Sequence, residues 1–370
     1  MSSQNSKRIR AGFQSLSVSV LVGMLLMAIQ QSATAMASGQ GCALYQTTVA
    51  QSNSSRPKTA EDYFNQGMIH LEDGEVEPAK ANFERTLQLK PDYAEDLLKE
   101  GFAALEAEDY RAAFYRFNGS LALKPNNPDA LFGRGKAQLY RGTAYYAEAI
   151  QDFTQAILLK PDHAEAYLLR AQASSSDPRY IDYDRAIADI NQFLQLQQNN
   201  PQSNWEIAWA YAIRAGAYQG TGAYNPAISD ATKALQISPE ILIAYLHRGS
   251  AYYAKGDYKQ AIADYTRLLQ IQPEYPVVLT SRAEAYMELG NYDAAIADYT
   301  QEIKNAEYYP RTYYQRGLAY VAKGDKQKAI QDFEKVIQLT KGPDFPGYTT
   351  DQELQLKAKE QLQKLKFGVM

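Results

Sequence analysis

A pattern that returns every 34 residues constrains this chain more than any other feature. It is clearest from Leu242, with Tyr245, Arg248, Gly249, Tyr252, Gly256, Tyr258, Ala261, Ile262, Tyr265, Leu268 and Pro273. One period later stand Leu279, Arg282, Ala283, Tyr286, Gly290, Tyr292, Ala295, Ile296 and Tyr299. Another period gives Tyr313, Arg316, Gly317, Tyr320, Gly324, Ala329, Ile330, Phe333 and Val336, and the preceding copy reads Tyr211, Ala215, Tyr218, Gly222, Tyr224, Ala227 and Pro239. A copy this small cannot bury its own apolar face, so the copies must stack on one another to form a core.

Within each copy, apolar residues fall three and four apart in two runs separated by a Gly-x-Tyr turn, which predicts two helices. A proline near the end of the copy cannot continue the second helix and closes it. Gly249 and Ala261 are small enough to let the two backbones approach, with rings at Tyr245, Tyr252 and Tyr265 around them. The spacing resembles the tetratricopeptide repeat, a 34-residue helix-turn-helix unit. Eight units are in phase: 60–93, 94–127, 128–163, 164–203, 208–241, 242–275, 276–309 and 310–343. The resemblance implies an all-α fold, a right-handed superhelical solenoid closed by a C-terminal capping helix.

Two units depart from the pattern. The third has two extra residues between Gly142 and Ala149. In the fourth, Ser174-Ser175-Ser176-Asp177-Pro178 is expected to interrupt the first helix early, and three extra residues precede Ala186. Gln197-Gln198-Asn199-Asn200-Pro201 then delays unit five, so a bend or looser packing is expected there. The array divides on this reading into 60–203 and 204–343, followed by a capping segment at 344–370. In that segment Leu354, Leu356, Ala358, Leu362 and Leu365 keep helical spacing, and Thr350 and Glu353 are spaced as a capping box.

The start of the chain reads as a targeting segment. Lys7, Arg8 and Arg10 precede an apolar stretch, densest from Val18 to Ile29, and Ala35-Met36-Ala37 is an A-x-A cleavage site. A secretory signal over 1–37, an uncleaved anchor using 11–29 and a lipoprotein acylated on Cys42 are the open readings. The first places the protein outside the cytoplasm, periplasmic or secreted; the second leaves it membrane-anchored. Residues 38–59 are small and polar and read as a flexible linker. The net charge of −4 becomes −7 once those three basic residues leave, so nothing attracts nucleic acid.

No arrangement of residues suggests catalysis or a cofactor. His70, His163 and His247 lie far apart in the repeat frame, with no second ligand at metal-like spacing. One cysteine excludes an internal disulfide framework and a thiolate zinc cluster. Gly216-Ala217-Tyr218-Gln219-Gly220-Thr221-Gly222 has the glycines of a phosphate loop but no preceding strand, and turn glycines explain it better. An enzyme would need a separate block outside the repeats, and none is present. A binding protein is expected.

Comparing the copies isolates two positions. Position 7 is Arg134, Arg170, Arg214, Arg248, Arg282 and Arg316 in units three to eight; position 23 is Asp152, Asp189, Asp230, Asp264, Asp298 and Asp332. Unit two exchanges the charges, with Glu100 and Arg116, and unit one has the amides Gln66 and Asn82. Positions that change together in an antiparallel helix pair suggest an ion pair between the helices. The competing explanation is that both residue types simply suit solvated faces.

The resemblance also implies a binding face. In the family the first helices line a concave groove through positions 2, 5, 9, 12 and 13. Here those positions include Phe64, Phe132, Leu139, Tyr140, Leu168, Trp209, Leu246, Tyr253, Met287, Tyr314 and Val321. Family members that hold a terminal carboxylate use Lys, Asn and Arg there; only the cations Lys136 and Arg311 remain in this chain. An aromatic lining suits a protein or peptide partner with apolar side chains. Two functions follow: a non-catalytic extracytoplasmic adaptor, or an accessory or sensor subunit held at a membrane by residues 11–29.

Overall fold

The computed structural model describes residues 58–367 except 177–180, 198–203, 276, 306–307 and 341–348. The targeting segment, Cys42 and most of the linker lie outside the described residues, as do the side chain of Thr350 and the interruption at Asp177-Pro178. Among the described residues there are seventeen α-helices and no strand. They divide into two compact units, with the division between Pro161 and Asp162.

The first unit holds α1 (Ala60–Glu72), α2 (Val76–Leu89), α3 (Tyr93–Glu106), α4 (Tyr110–Leu123), α5 (Pro128–Arg141) and α6 (Tyr146–Leu159). The second holds α7 (Ala164–Ser176), α8 (Tyr183–Gln197), α9 (Asn204–Gly220), α10 (Tyr224–Ile237), α11 (Leu242–Ala254), α12 (Tyr258–Ile271), α13 (Val278–Glu288), α14 (Tyr292–Asn305), α15 (Pro310–Lys323), α16 (Lys326–Leu339) and α17 (Thr349–Phe367). Odd and even helices pair within each repeat. Inside the second unit, each even helix also packs on the odd helix of the next repeat, and α17 covers α16.

The pairing follows from the sequence of each helix. Along α12 the buried residues are Ala261, Asp264, Tyr265, Leu268 and Leu269, spaced to form one stripe. Burying a side chain such as Leu268 is worth about 1.5–3 kcal/mol, so most helix stability comes from these contacts rather than from propensity. At the end of α12, Gln272 is extended (φ −134°) and Pro273 follows. Gly249 has the Tyr265 ring beside it, Cε1 lying 2.7 Å from where a Cβ would stand. That ring, rather than the backbone at Ala261, occupies the space left by the missing side chain.

The turn inside each repeat explains its glycine. Gly256 has φ +83°; its N–H donates to Tyr253 O and the Asp257 N–H donates to Tyr252 O, both at 2.9 Å. This closes the helix with a left-handed residue. In the second repeat the same two bonds form around Glu108, at φ +57°. A side chain there is strained by about 1 kcal/mol. Glu108→Gly is therefore expected to raise stability by about that amount, read as a higher guanidinium midpoint at unchanged slope.

The first helix of repeat four ends within the expected segment, at Ser176, but not early: at 13 residues it is as long as α1 and α11. Ser174, Ser175 and Ser176 form its last turn, where the Ser175 hydroxyl donates to Gln172 O at 3.2 Å and the buried Ser174 hydroxyl has no hydrogen-bond partner among the described residues. A serine bonded back to its own turn is compatible with a helix. The extra residues of repeat three form a short 3-10 turn, Thr143–Tyr145, entered through Gly142. At the far end, Ala358 and Leu362 of α17 are buried against Phe333 and Val336, while its outer face carries exposed Leu356 and lysines.

Candidate protein-binding face

The six arginines at position 7 each meet the aspartate at position 23 of their own repeat through two parallel hydrogen bonds. Nε and Nη2 donate to the two carboxylate oxygens at 2.6–3.0 Å, from Arg134–Asp152 to Arg316–Asp332. The aspartate side chains are only 5–10% exposed and the arginines 10–19%. Planar, paired bonds of this kind are a geometry lysine could not supply. Repeat two carries the reversed pair, Arg116 Nε to Glu100 at 3.2 Å, with both side chains about half exposed. In repeat one Gln66 accepts from Lys58, and Asn82 donates to Pro78 O of its own helix.

Five of the six guanidiniums also have a third partner, in the preceding repeat, that the position 7 and 23 pairs do not disclose. Nη1 of Arg134 and Arg214 donates to Asn118 and Asn191. Nη1 of Arg248, Arg282 and Arg316 donates to the hydroxyls of Thr232, Thr266 and Thr300 at 3.1–3.2 Å. All five acceptors lie on the second helix of the preceding repeat, two residues beyond its position 23. Tyrosines complete the surroundings: Tyr211 and Tyr218 flank Arg214, and Tyr313 and Tyr320 flank Arg316, with ring centroids 5.5–5.9 Å away.

The face of the first helices is thereby held on a fixed frame. In the second unit, Trp209 on α9, Leu246 and Tyr253 on α11 and Met287 on α13 are half-buried. Trp209 stacks on exposed Trp205 at 5.4 Å and donates to Gln172. Tyr253 meets Tyr258 edge-on at 5.4 Å. Burial, and then the carboxylates of Glu284 and Glu288, raise the pKa of the Tyr253 hydroxyl. Tyr314 also has its pKa raised by burial, with Lys357 and Glu360 of α17 as charged neighbours, so it lies toward the terminal helix.

Family models decide what this arrangement is. One described as TPR repeat matches residues 249–290, and two described as tetratricopeptide repeat match 280–344 and, in the third case, 60–93 and 135–163. The chain is a tetratricopeptide repeat protein. No curated protein matches its sequence. Among solved structures, a tetratricopeptide repeat protein from Parabacteroides merdae ATCC 43184 is 20% identical with a TM-score of 0.51, covering 72% of this chain and 99% of that one. The APC/C Cut9–Hcn1 hetero-tetramer matches at 15% identity and a TM-score of 0.52, over 78% of this chain and 55% of that one. PilW, described as a widely conserved type IV pilus biogenesis factor, matches at 18% and 0.50, over 58% and 94%. At such identities these likenesses establish fold alone.

Not every residue expected on the groove of this tetratricopeptide repeat protein lies there. Phe64 and Phe132 are each 4% exposed, and Leu139 and Leu168 are equally buried. Phe64 turns inward because Gly119 leaves room for it: its Cζ lies 2.6 Å from where a Cβ would stand, and its ring packs on Phe83 and Tyr93. Phe132 packs on Phe153 at 6.0 Å, with Lys136 over its ring. These residues belong to the core. Tyr140 in the first unit is 45% exposed and tilted against Tyr110, and Val321 in the second is 37% exposed. Arg311 acts electrostatically on Glu284, lowering a carboxyl pKa that burial raises. Gly216 and Gly220 are helical, within α9, and Gly222 is the left-handed residue of its turn.

Gly216 has a different role. The His247 ring of α11 fills its notch, with Nε2 2.6 Å from where a Cβ would stand. Burial lowers the His247 pKa to about 4. The folded protein therefore holds the neutral ring, and between about pH 6.5 and 4 the unfolded chain binds more protons. Stability from this group is complete above about pH 6.5 and is lost as pH falls toward 4, by up to about 3 kcal/mol. Urea unfolding at pH 7 and pH 4 should show a smaller acid loss for His247→Gln than for the unaltered protein.

Proposed function

We propose that the protein is a non-catalytic scaffold that works outside the cytoplasm and binds protein or peptide partners along its first-helix face. The observation that carries this is the row of half-buried Trp209, Leu246, Tyr253 and Met287 on successive first helices. Half-buried rings fixed by a packed frame give contact area at little entropic cost, as anchors of an interface do. Tetratricopeptide repeat proteins are generally interaction scaffolds, and the residues of this chain form no catalytic constellation in sequence. Export rests on the basic start, apolar stretch and Ala35-Met36-Ala37.

Affinity capture with the full chain tests the binding face. Trp209→Ala/Tyr253→Ala should lose partners that an Arg267→Ala variant, altered on an exposed part of α12, retains. Retention of every partner by the double variant would remove the face assignment. The second reading, a membrane-held accessory subunit, draws on the apolar stretch at 11–29. Among the described residues no helix is long and apolar enough to cross a membrane. Fractionation of the protein beside an Ala35→Asp/Ala37→Asp variant separates the two. A soluble parent and a membrane-retained variant support export with cleavage; a membrane-bound parent supports the anchor.

A further inference from the structure

The third bond of Arg134, Arg214, Arg248, Arg282 and Arg316 links one repeat to the next. In the second unit each intermediate even helix serves two arginines. On α8, Asp189 accepts from Arg170 of its own repeat and Asn191 from Arg214 of the next. On α10, Asp230 accepts from Arg214 and Thr232 from Arg248. Asp264 and Thr266 on α12 serve Arg248 and Arg282, and Asp298 and Thr300 on α14 serve Arg282 and Arg316. Asp332 on α16 receives the last arginine. The result is an unbroken ladder of charge-assisted bonds from α7 to α16, part-buried except at the exposed Arg214–Asn191 rung.

A stacked array normally opens repeat by repeat, with stability set by each repeat and its interfaces. Here, opening one repeat leaves the neighbouring guanidinium short of an acceptor in a site poor in water. Such a loss is larger than that of an exposed bond. We propose that the ladder makes α7–α16 a single cooperative block, and that repeats lacking it open separately. Repeat one provides the internal contrast. Its position 7 and 23 residues are the amides Gln66 and Asn82, each bonded elsewhere.

Hydrogen exchange of the full chain, followed by mass spectrometry at low denaturant, tests this directly. In the unaltered protein the slowest amides of α8, α10, α12, α14 and α16 should share one exchange rate, while those of α1 and α2 exchange faster. Thr266→Val keeps the shape of the side chain but removes the acceptor. It should separate α14 and α16 from α8 and α10 by about tenfold or more, the least expected from losing a bond to a charged donor. Thr300→Val should move the break by one repeat, leaving α14 with α8–α12 and releasing α16. Thr280→Val, on α13 and outside the ladder, should leave the shared rate intact. Different rates across the block in the unaltered protein would overturn the proposal. So would a Thr266→Val effect that is uniform or equal to that of Thr280→Val.

Discussion

Arg248→Met is expected to cost about 3–5 kcal/mol, and adding Asp264→Leu is expected to return most of it. The size follows from burial. Asp264 is 5% exposed, and both of its oxygens accept from Arg248 at 2.7–2.8 Å. Removing the guanidinium leaves a carboxylate with little access to water. Removing both groups leaves an apolar contact between α11 and α12, which at similar volume is close to neutral. The Arg248 pKa is raised, chiefly by its bond to Asp264, with burial opposing, so the guanidinium stays charged. Denaturant unfolding of the two single variants and the double variant gives the coupling energy, expected to reach about 3 kcal/mol or more. Additive losses would mean that the two side chains act independently of each other.

The second large effect is expected at Phe117, and it reverses the sign of a neighbouring substitution. The ring is fully buried on α4 and meets Phe102 edge-on at 5.0 Å. It lies between two glycines of adjacent repeats. A Cβ on Gly101 would stand 2.7 Å from its Cε1, and one on Gly133 would stand 2.3 Å from its Cζ. Phe117→Ala should cost about 3–5 kcal/mol through lost burial and the cavity left behind. Gly133→Ala alone must push the ring, costing about 1–3 kcal/mol despite alanine's better helix propensity. In the Phe117→Ala background the same methyl enters open space, and Gly133→Ala should stabilise by about 1 kcal/mol. Guanidinium midpoints of the four proteins in this cycle check the reversal.

These two sites differ in how much the sequence discloses. Arg248 and Asp264 belong to positions that change charge together, as the exchanged pair Glu100 and Arg116 makes visible without any coordinates. The helices are equally legible, because apolar spacing, turn glycines and closing prolines repeat in register. Thr266 is harder to find. It stands two residues after Asp264, but its donor Arg282 lies in the next repeat, so comparison within one repeat never pairs them. A search for residues recurring beside position 23 would have found the asparagines and threonines.

Burial at the groove positions is less legible still. Phe64 and Tyr253 both fall at positions where the family lines its groove, yet one is core and the other half-exposed. The difference is set by Gly119, which lies in another helix and gives Phe64 a place to turn inward. Position in the repeat fixes where a side chain begins, and the neighbouring repeat decides where it ends. The serines of α7 make the same point locally. Their composition argues for an early break, and the Ser175 hydroxyl, bonded back to Gln172 O, is satisfied inside the helix.

The binding face is tested most directly by placing a photoreactive phenylalanine analogue, one site at a time, at Trp209, Leu246, Tyr253 and Met287, and at exposed Arg267 and Gln301 on the second helices. Irradiation in the producing cells should yield the same protein adduct from the first four sites and none from the last two. Adducts formed equally well from Arg267 and Gln301, or only there, would contradict a partner seated on the first helices.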